Sequence, residues 1–155
     1  MKRKPYDQRS DLEKLRAQWT KATGLLRSKN QWSAAFLRAV IAVEIAANFA
    51  IRREFESKSR FADRFVDRIL IWANGINGKF DHLLKPLHHG RRTASTIASL
   101  YVDVQQINRK RNAIMHSGEF MDEEEARLLV EKIRRVIETL VGIYEPDFEL
   151  KDKSR

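Results

Sequence analysis

The chain contains no cysteine. That excludes disulfide scaffolds, cysteine-ligated zinc, thiol nucleophiles and thiol redox sensing. Glycine (6) and proline (3) are scarce, too few for an all-β chain with many tight turns. Long apolar runs are missing as well. The most apolar stretch, Trp32 to Ile51, is interrupted by Arg38 and Glu44, whereas a membrane-spanning helix needs about 20 predominantly apolar residues. The opening Met1-Lys-Arg-Lys-Pro is basic but has no apolar segment behind it, so it does not read as a signal peptide. Together these absences point to a cytoplasmic protein with no membrane partner. No GxxxxGK[ST], GxGxxG, GxSxG or HExxH can be written through the chain, which removes the kinase, dinucleotide-binding, serine-hydrolase and zincin readings.

What is present is a charged, globular composition. The 155 residues are 43% apolar and 33% charged, and the net charge is +9. The length suits one domain, and the surplus of Lys and Arg favours polyanionic partners such as RNA. Helical periodicity dominates. Leu12, Leu15, Trp19, Ala22 and Leu26 form one stripe, with Asp11 or Ser10 available as its cap. A second helix is expected from about Asn30 to Phe55, with Phe36, Val40, Val43, Ala47 and Ile51 on its main stripe. Leu37, Ile41 and Ile45 widen that face, as in the central helix of a bundle. A third spans about Ser59 to Ala73, with Phe61, Phe65, Ile69 and Trp72 in register. Thr93 is the expected N-cap of a fourth helix carrying Ile97, Leu100, Tyr101, Val104, Ile107 and Asn108. Asp122 with Glu125 resembles a capping box opening the last helix, lined by Ala126, Leu129, Val130, Ile133, Val136, Ile137, Leu140 and Tyr144. No strand pattern appears. The expectation is an all-α, up-and-down bundle of four to five helices over residues 10–146, with mobile charged tails at 1–9 and 147–155.

Chemistry has few places to sit. His88-His89 lies beside Arg91-Arg92 and is expected in a solvated loop. It lacks further ligands at metal spacing, so no metal and no cofactor is assigned. His82 stands next to Asp81, as a surface pair. The remaining constellation is Asn108-Arg-Lys-Arg-Asn-Ala-Ile-Met-His-Ser-Gly118. Arg111 is suited to holding a phosphate through two parallel hydrogen bonds. His116 is suited to proton transfer near neutral pH. Asn112 is suited to orienting the histidine or a ribose hydroxyl. Arg109 and Lys110 add positive charge for RNA. On an intact helix Asn112 and His116 share a face, while Arg111 and His116 are rotated apart by about 140°. They converge only where the helix frays, and Ser117-Gly118 is the expected place. The plain alternative makes the basic residues favourable charges at a helix C-terminus and His116 a terminal capping group.

These residues resemble the HEPN superfamily of helical ribonucleases. Its motif is Arg, four to six residues, then His, often with Asn directly after the Arg, and here it reads Arg111-Asn112-Ala-Ile-Met-His116. The bare spacing recurs by chance in so arginine-rich a chain. The Asn and the position before a capped last helix sharpen the match. The resemblance implies a HEPN-like bundle and a metal-independent endoribonuclease. Cleavage would proceed by 2′-hydroxyl attack, leaving a 2′,3′-cyclic phosphate. Arg111, Asn112 and His116 would be the catalytic residues, and a homodimer would form a composite site. It also implies roles in toxin, phage-defence or RNA-processing systems and an antitoxin or other protein partner. The toxins paired with nucleotidyltransferases often carry Tyr two residues after the His. This chain has Gly118 there. The alternative within the resemblance is a non-catalytic helical module that binds RNA or a partner protein.

Glu44 lies between the two apolar edges of the second helix, so it needs a partner there. One reading has it orienting Arg111 or His116. The preferred reading is a structural ion pair with Arg38, Arg52 or a residue of another helix.

Overall fold

A computed structural model describes residues 4–154. Met1 to Arg3 and Arg155, the outer ends of the two expected tails, lie outside the described residues. Among those described, the regular structure is entirely helical. A single 3₁₀ turn, Tyr6–Gln8, precedes α1 (Asp11–Leu25) and α2 (Trp32–Lys58). Next come α3 (Asp63–Trp72), α4 (Gly75–Gly78), a π-helical segment (Lys79–Leu84) and α5 (Lys85–His88). The two remaining long helices, α6 (Ala94–Ser117) and α7 (Glu123–Gly142), complete the chain.

Each long helix forms for a local reason and packs for a non-local one. Ser10 starts α1 with a full capping box: its hydroxyl accepts from Glu13 N, and Ser10 N donates to Glu13 Oε2 at 2.7 Å. Leu15, Trp19 and Ala22 are then fully buried. In α2 the expected stripe from Phe36 to Ile51 is buried throughout. The widening face differs. Ile41 is exposed and Leu37 and Ile45 only half-buried, while Ala35, Ala39, Ala42, Ala46 and Ala50 are completely buried. Small side chains let neighbouring helices approach closely, and α2 packs extensively against both α1 and α7. By length and composition α2 is the described helix capable of crossing a bilayer, but over half of that stretch is buried inside the protein.

Three expectations need correction. The third helix starts at Asp63 rather than Ser59, and its core side is Val66 and Leu70. Phe61, Phe65 and Trp72 are instead exposed, by 54%, 45% and 72%. Thr93 does not cap α6, because its hydroxyl is engaged with His88 Nδ1 at 2.6 Å. The third correction concerns the C-terminal segment, which is packed rather than mobile. Phe148 and Leu150 are buried, Leu150 N donates to Glu138 Oε1, and Lys153 N donates to Thr23 Oγ1. Asp152 accepts from Trp19 Nε1 at 3.1 Å and from Arg134 at 2.6 Å, and Arg134 also covers the Trp19 ring. These contacts span α1 and α7, and burying the two apolar side chains stabilises the seam by about 3 kcal/mol or more. At the other end, Tyr6 OH accepts from Gln18 Nε2 of α1.

Candidate active site

Helix α6 carries the motif. Its core stripe is Ile97, Leu100, Val104 and Ile107, all buried. The next position on that stripe is Arg111. The helix stays intact through His116 and ends at Gly118, whose φ of 64° is left-handed backbone that favours glycine. Gly118 N donates to Ala113 O, as does Glu119 N at 3.4 Å. The expected fraying is therefore absent: Ser117-Gly118 stops the helix without unwinding it.

Two faces follow from 3.6 residues per turn. Arg109, Asn112 and His116 (i, i+3, i+7) share the outward face, with Arg109 and His116 exposed and Asn112 half-buried. Arg111 sits at the rim of the core, half-buried, and its guanidinium donates to Asn112 Oδ1 at 3.0 Å. Arg111 and His116 thus point about 140° apart within one chain. Asn112 is the residue that touches one and shares a face with the other.

Lys110 does not belong with Arg109. Its ammonium pairs with Glu125 at 2.7 Å and Glu119 at 3.2 Å. Burial would lower its pKa, but the two carboxylates outweigh that and raise it. This engagement explains why the capping box of α7 is only half made. Asp122 Oδ1 accepts from Glu125 N, while the Glu125 carboxylate serves Lys110. With Met121 buried and its N–H donating to Ser33 Oγ, Lys110 pins the α6–α7 connection to the body of the protein. Arg109, not Lys110, is the residue of the two that carries no ion pair among the described residues.

Glu44 accepts from Lys79 Nζ at 2.9 Å, and Lys79 is itself buried. The partner is on another helical element, as the preferred reading had it. Glu44 makes no hydrogen bond to Arg111 or His116 among the described residues, so the orienting role is not seen.

A further cluster escaped the sequence reading. His88, expected in a solvated loop, is completely buried. Its Nδ1 meets Thr93 Oγ1 at 2.6 Å and its Nε2 meets Tyr144 OH at 3.0 Å. Tyr144 OH donates to Glu54 Oε1 at 2.7 Å, and Glu54 Oε2 accepts from Arg91 at 2.7 Å and Lys58 at 3.2 Å. The directions agree with a neutral imidazole: Thr93 donates to Nδ1, and Nε2–H donates to Tyr144. A signal was available. Glu54 occupies the next position on the α2 core stripe after Ile51, where a carboxylate needs partners. The cluster lies at the start of α6, about 35 Å along the helix from His116, and it joins the ends of α2, α5 and α7.

Burial lowers the His88 pKa. Glu54 opposes that shift, and Arg91 and Lys58 add to it. Burial pushes Glu54 up, but hydrogen bonds from Arg91, Tyr144 and Lys58 outweigh it and hold the carboxyl below its usual range. For His88 the unfolded chain binds more protons than the folded one below the ordinary value of 6.5. Stability is therefore full above about pH 7 and falls as pH drops through that value. Glu54 adds a second loss below its ordinary value of 4.5. Thermal unfolding across this range is expected to show Tm declining from about pH 6.5 downward, and His88→Gln to flatten the upper part of the decline. Parallel profiles for both proteins would exclude His88 as the titrating group.

Among the described residues, no three His, Asp or Glu side chains cluster as a metal site. No protein-family model, no curated protein and no solved structure matches the chain.

Proposed function

We propose that the chain is a metal-independent endoribonuclease of the HEPN type, acting on single-stranded RNA as a homodimer. The observation that carries the reading is the placement of Arg111-Asn112-Ala-Ile-Met-His116 at the exposed end of α6. There His116 and Arg109 face solvent with no other described side chain engaging them. The ribose 2′-oxygen attacks the adjacent phosphorus, the bond from phosphorus to the 5′-oxygen breaks, and a 2′,3′-cyclic phosphate forms. One proton leaves the 2′-hydroxyl and one is delivered to the departing 5′-oxygen. His116 serves proton transfer, Arg111 stabilises charge on the phosphoryl oxygens, and Asn112 holds Arg111 in place.

An intact helix points Arg111 and His116 apart, so a single protomer does not close both on one phosphate. A two-fold interface is self-complementary and sets His116 of one protomer against the partner's Arg111. Met115 and Phe120, exposed by 54% and 87%, offer apolar surface at that same end. The second reading, a non-catalytic module that binds RNA or a partner protein, is favoured by one fact: the Arg111 guanidinium is half-buried and bonded within its own helix.

The deciding experiment incubates the protein with single-stranded RNA in EDTA and analyses the product ends. Cleavage is expected to survive chelation and to leave cyclic phosphate and 5′-hydroxyl termini. Activity lost on chelation and restored by a divalent ion would overturn the mechanism, and no cleavage would leave the binding module.

A further inference from the structure

Helix α3 buries only Val66 and Leu70. Beside that core side, Phe65, Ile69 and Trp72 (i, i+4, i+7) form an edge that is largely exposed. The edge is part of a longer row of rings. Phe55 meets Phe61 at 6.2 Å between centroids, Phe61 meets Phe65 at 4.7 Å, and at the far end Trp72 meets His82 at 5.9 Å. Asp63 and Asp67 lie on the flank away from the rings, and Asp67 is neutralised by Arg52 at 2.7 Å. Between these carboxylates and the rings, Arg64 and Arg68 lie one turn apart on α3, and Arg60 stands in the segment just before the helix. They are exposed and pair with no carboxylate among the described residues.

We propose that this ledge of rings and arginines binds single-stranded RNA, with bases stacked on the rings and phosphates held by the guanidinium groups. Flat π faces flanked by cations are the surface that a single strand takes without reading its sequence. The net charge of +9 draws a polyanion to it. A bilayer fits less well. The line of α3 farthest from Val66 and Leu70 runs through Arg68, with Arg64 on one side of it and Trp72 on the other. A membrane laid on that line meets the Arg68 guanidinium at its centre, whereas an interfacial helix turns an apolar face inward.

The ledge also points the right way. His88 of α5 bonds Thr93 at the start of α6, and Phe80 stacks on Tyr101 a few turns later at 6.4 Å. The run from Gly75 to His88 is therefore antiparallel to α6. Trp72, just before that run, is the end of the ledge nearer Arg111 and His116. A strand passing from Phe61 to Trp72 heads toward the proposed catalytic end. The preference for RNA over other single strands rests on the ribonuclease reading, but the binding itself does not.

Fluorescence anisotropy with a labelled single-stranded RNA tests this, in a His116→Ala background so that the strand stays whole. Trp72→Ala and Phe65→Ala are each expected to weaken binding roughly ten-fold, the usual scale for one stacked ring. The pair Arg64→Glu and Arg68→Glu is expected to flatten the salt dependence by about 1.4 in log–log slope, near 0.7 per phosphate contact. All four side chains are exposed, and unchanged circular dichroism and Tm confirm the fold. The proposal is overturned if the parent does not bind, or if Trp72→Ala binds as the parent does. It is equally overturned if Trp72→Ala loses only affinity for phosphatidylserine vesicles, or only self-association, with RNA binding intact. Weakened binding in Trp72→Ala alongside a wild type that never cleaves keeps the ledge and removes the nuclease. Cleavage by wild type with undiminished binding by Trp72→Ala does the reverse.

Discussion

Glu54→Ala is expected to destabilise the protein by about 3 kcal/mol, the low end for breaking a buried charged network. The carboxylate is 2% exposed and is the acceptor at the end of the Thr93–His88–Tyr144 chain. Removing it leaves the Tyr144 hydroxyl without its acceptor, a loss of roughly 1–3 kcal/mol. A small cavity adds to this. Arg91 and Lys58 contribute less, because both are over 40% exposed and return to water. In a chain of this size the total corresponds to a Tm lower by about 10 °C. Tyr144→Phe removes one hydroxyl and is expected to cost about 1–2 kcal/mol. Glu54→Gln, which keeps an acceptor for Tyr144, is expected to fall between wild type and Glu54→Ala. Urea unfolding gives all three values. A Glu54→Ala protein within about 1 kcal/mol of wild type would show that the cluster contributes nothing net to stability.

The contrast between what the sequence reveals and what it hides is physical. Large apolar residues at helical spacing, such as Leu15 and Trp19 or Phe36 to Ile51, have no favourable place but the core, and they are found there. Alanine carries no such signal, so the pattern does not mark the buried Ala35, Ala39, Ala42, Ala46 and Ala50. In α3 two apolar edges lie side by side, and a short helix at the margin buries only one. The larger residues pointed to the wrong edge, and Val66 with Leu70 took the core. The C-terminal segment alternates Phe148 and Leu150 with charged residues. Its charge density masks a docking segment held partly by α7, through Glu138 and Arg134, and partly by Thr23 at the other end of the chain. His88 was invisible for the same reason, since its burial depends on Tyr144 and Glu54. At the candidate site the residues were legible from the motif alone. Their orientation was not, because a Ser-Gly pair at a helix end reads equally as fraying or as a clean stop, and Gly118 in the left-handed region makes it a stop.

Arg111→Ala and His116→Ala are each expected to abolish RNA cleavage, by about a hundred-fold or more, the scale of one general acid–base or charge-stabilising group. Both leave the core in place. His116 is exposed, and Arg111 gives up a single hydrogen bond to Asn112, so each variant should unfold within about 1 kcal/mol of wild type. The helix geometry adds a sharper expectation. If the working pair is His116 of one protomer and the partner's Arg111, each homodimeric variant lacks a functional pair. A heterodimer of the two variants has one site with both groups and one with neither. Random exchange makes half of the dimers heterodimers, each with one of two sites intact, so mixing equal amounts restores about a quarter of wild-type activity. A site contained within one protomer predicts no recovery on mixing. Sedimentation is the companion measurement, because recovery requires a dimer that exchanges. A chain monomeric at micromolar concentration that still cleaves would exclude the shared site. It would also require the α6 terminus to bend until Arg111 and His116 meet.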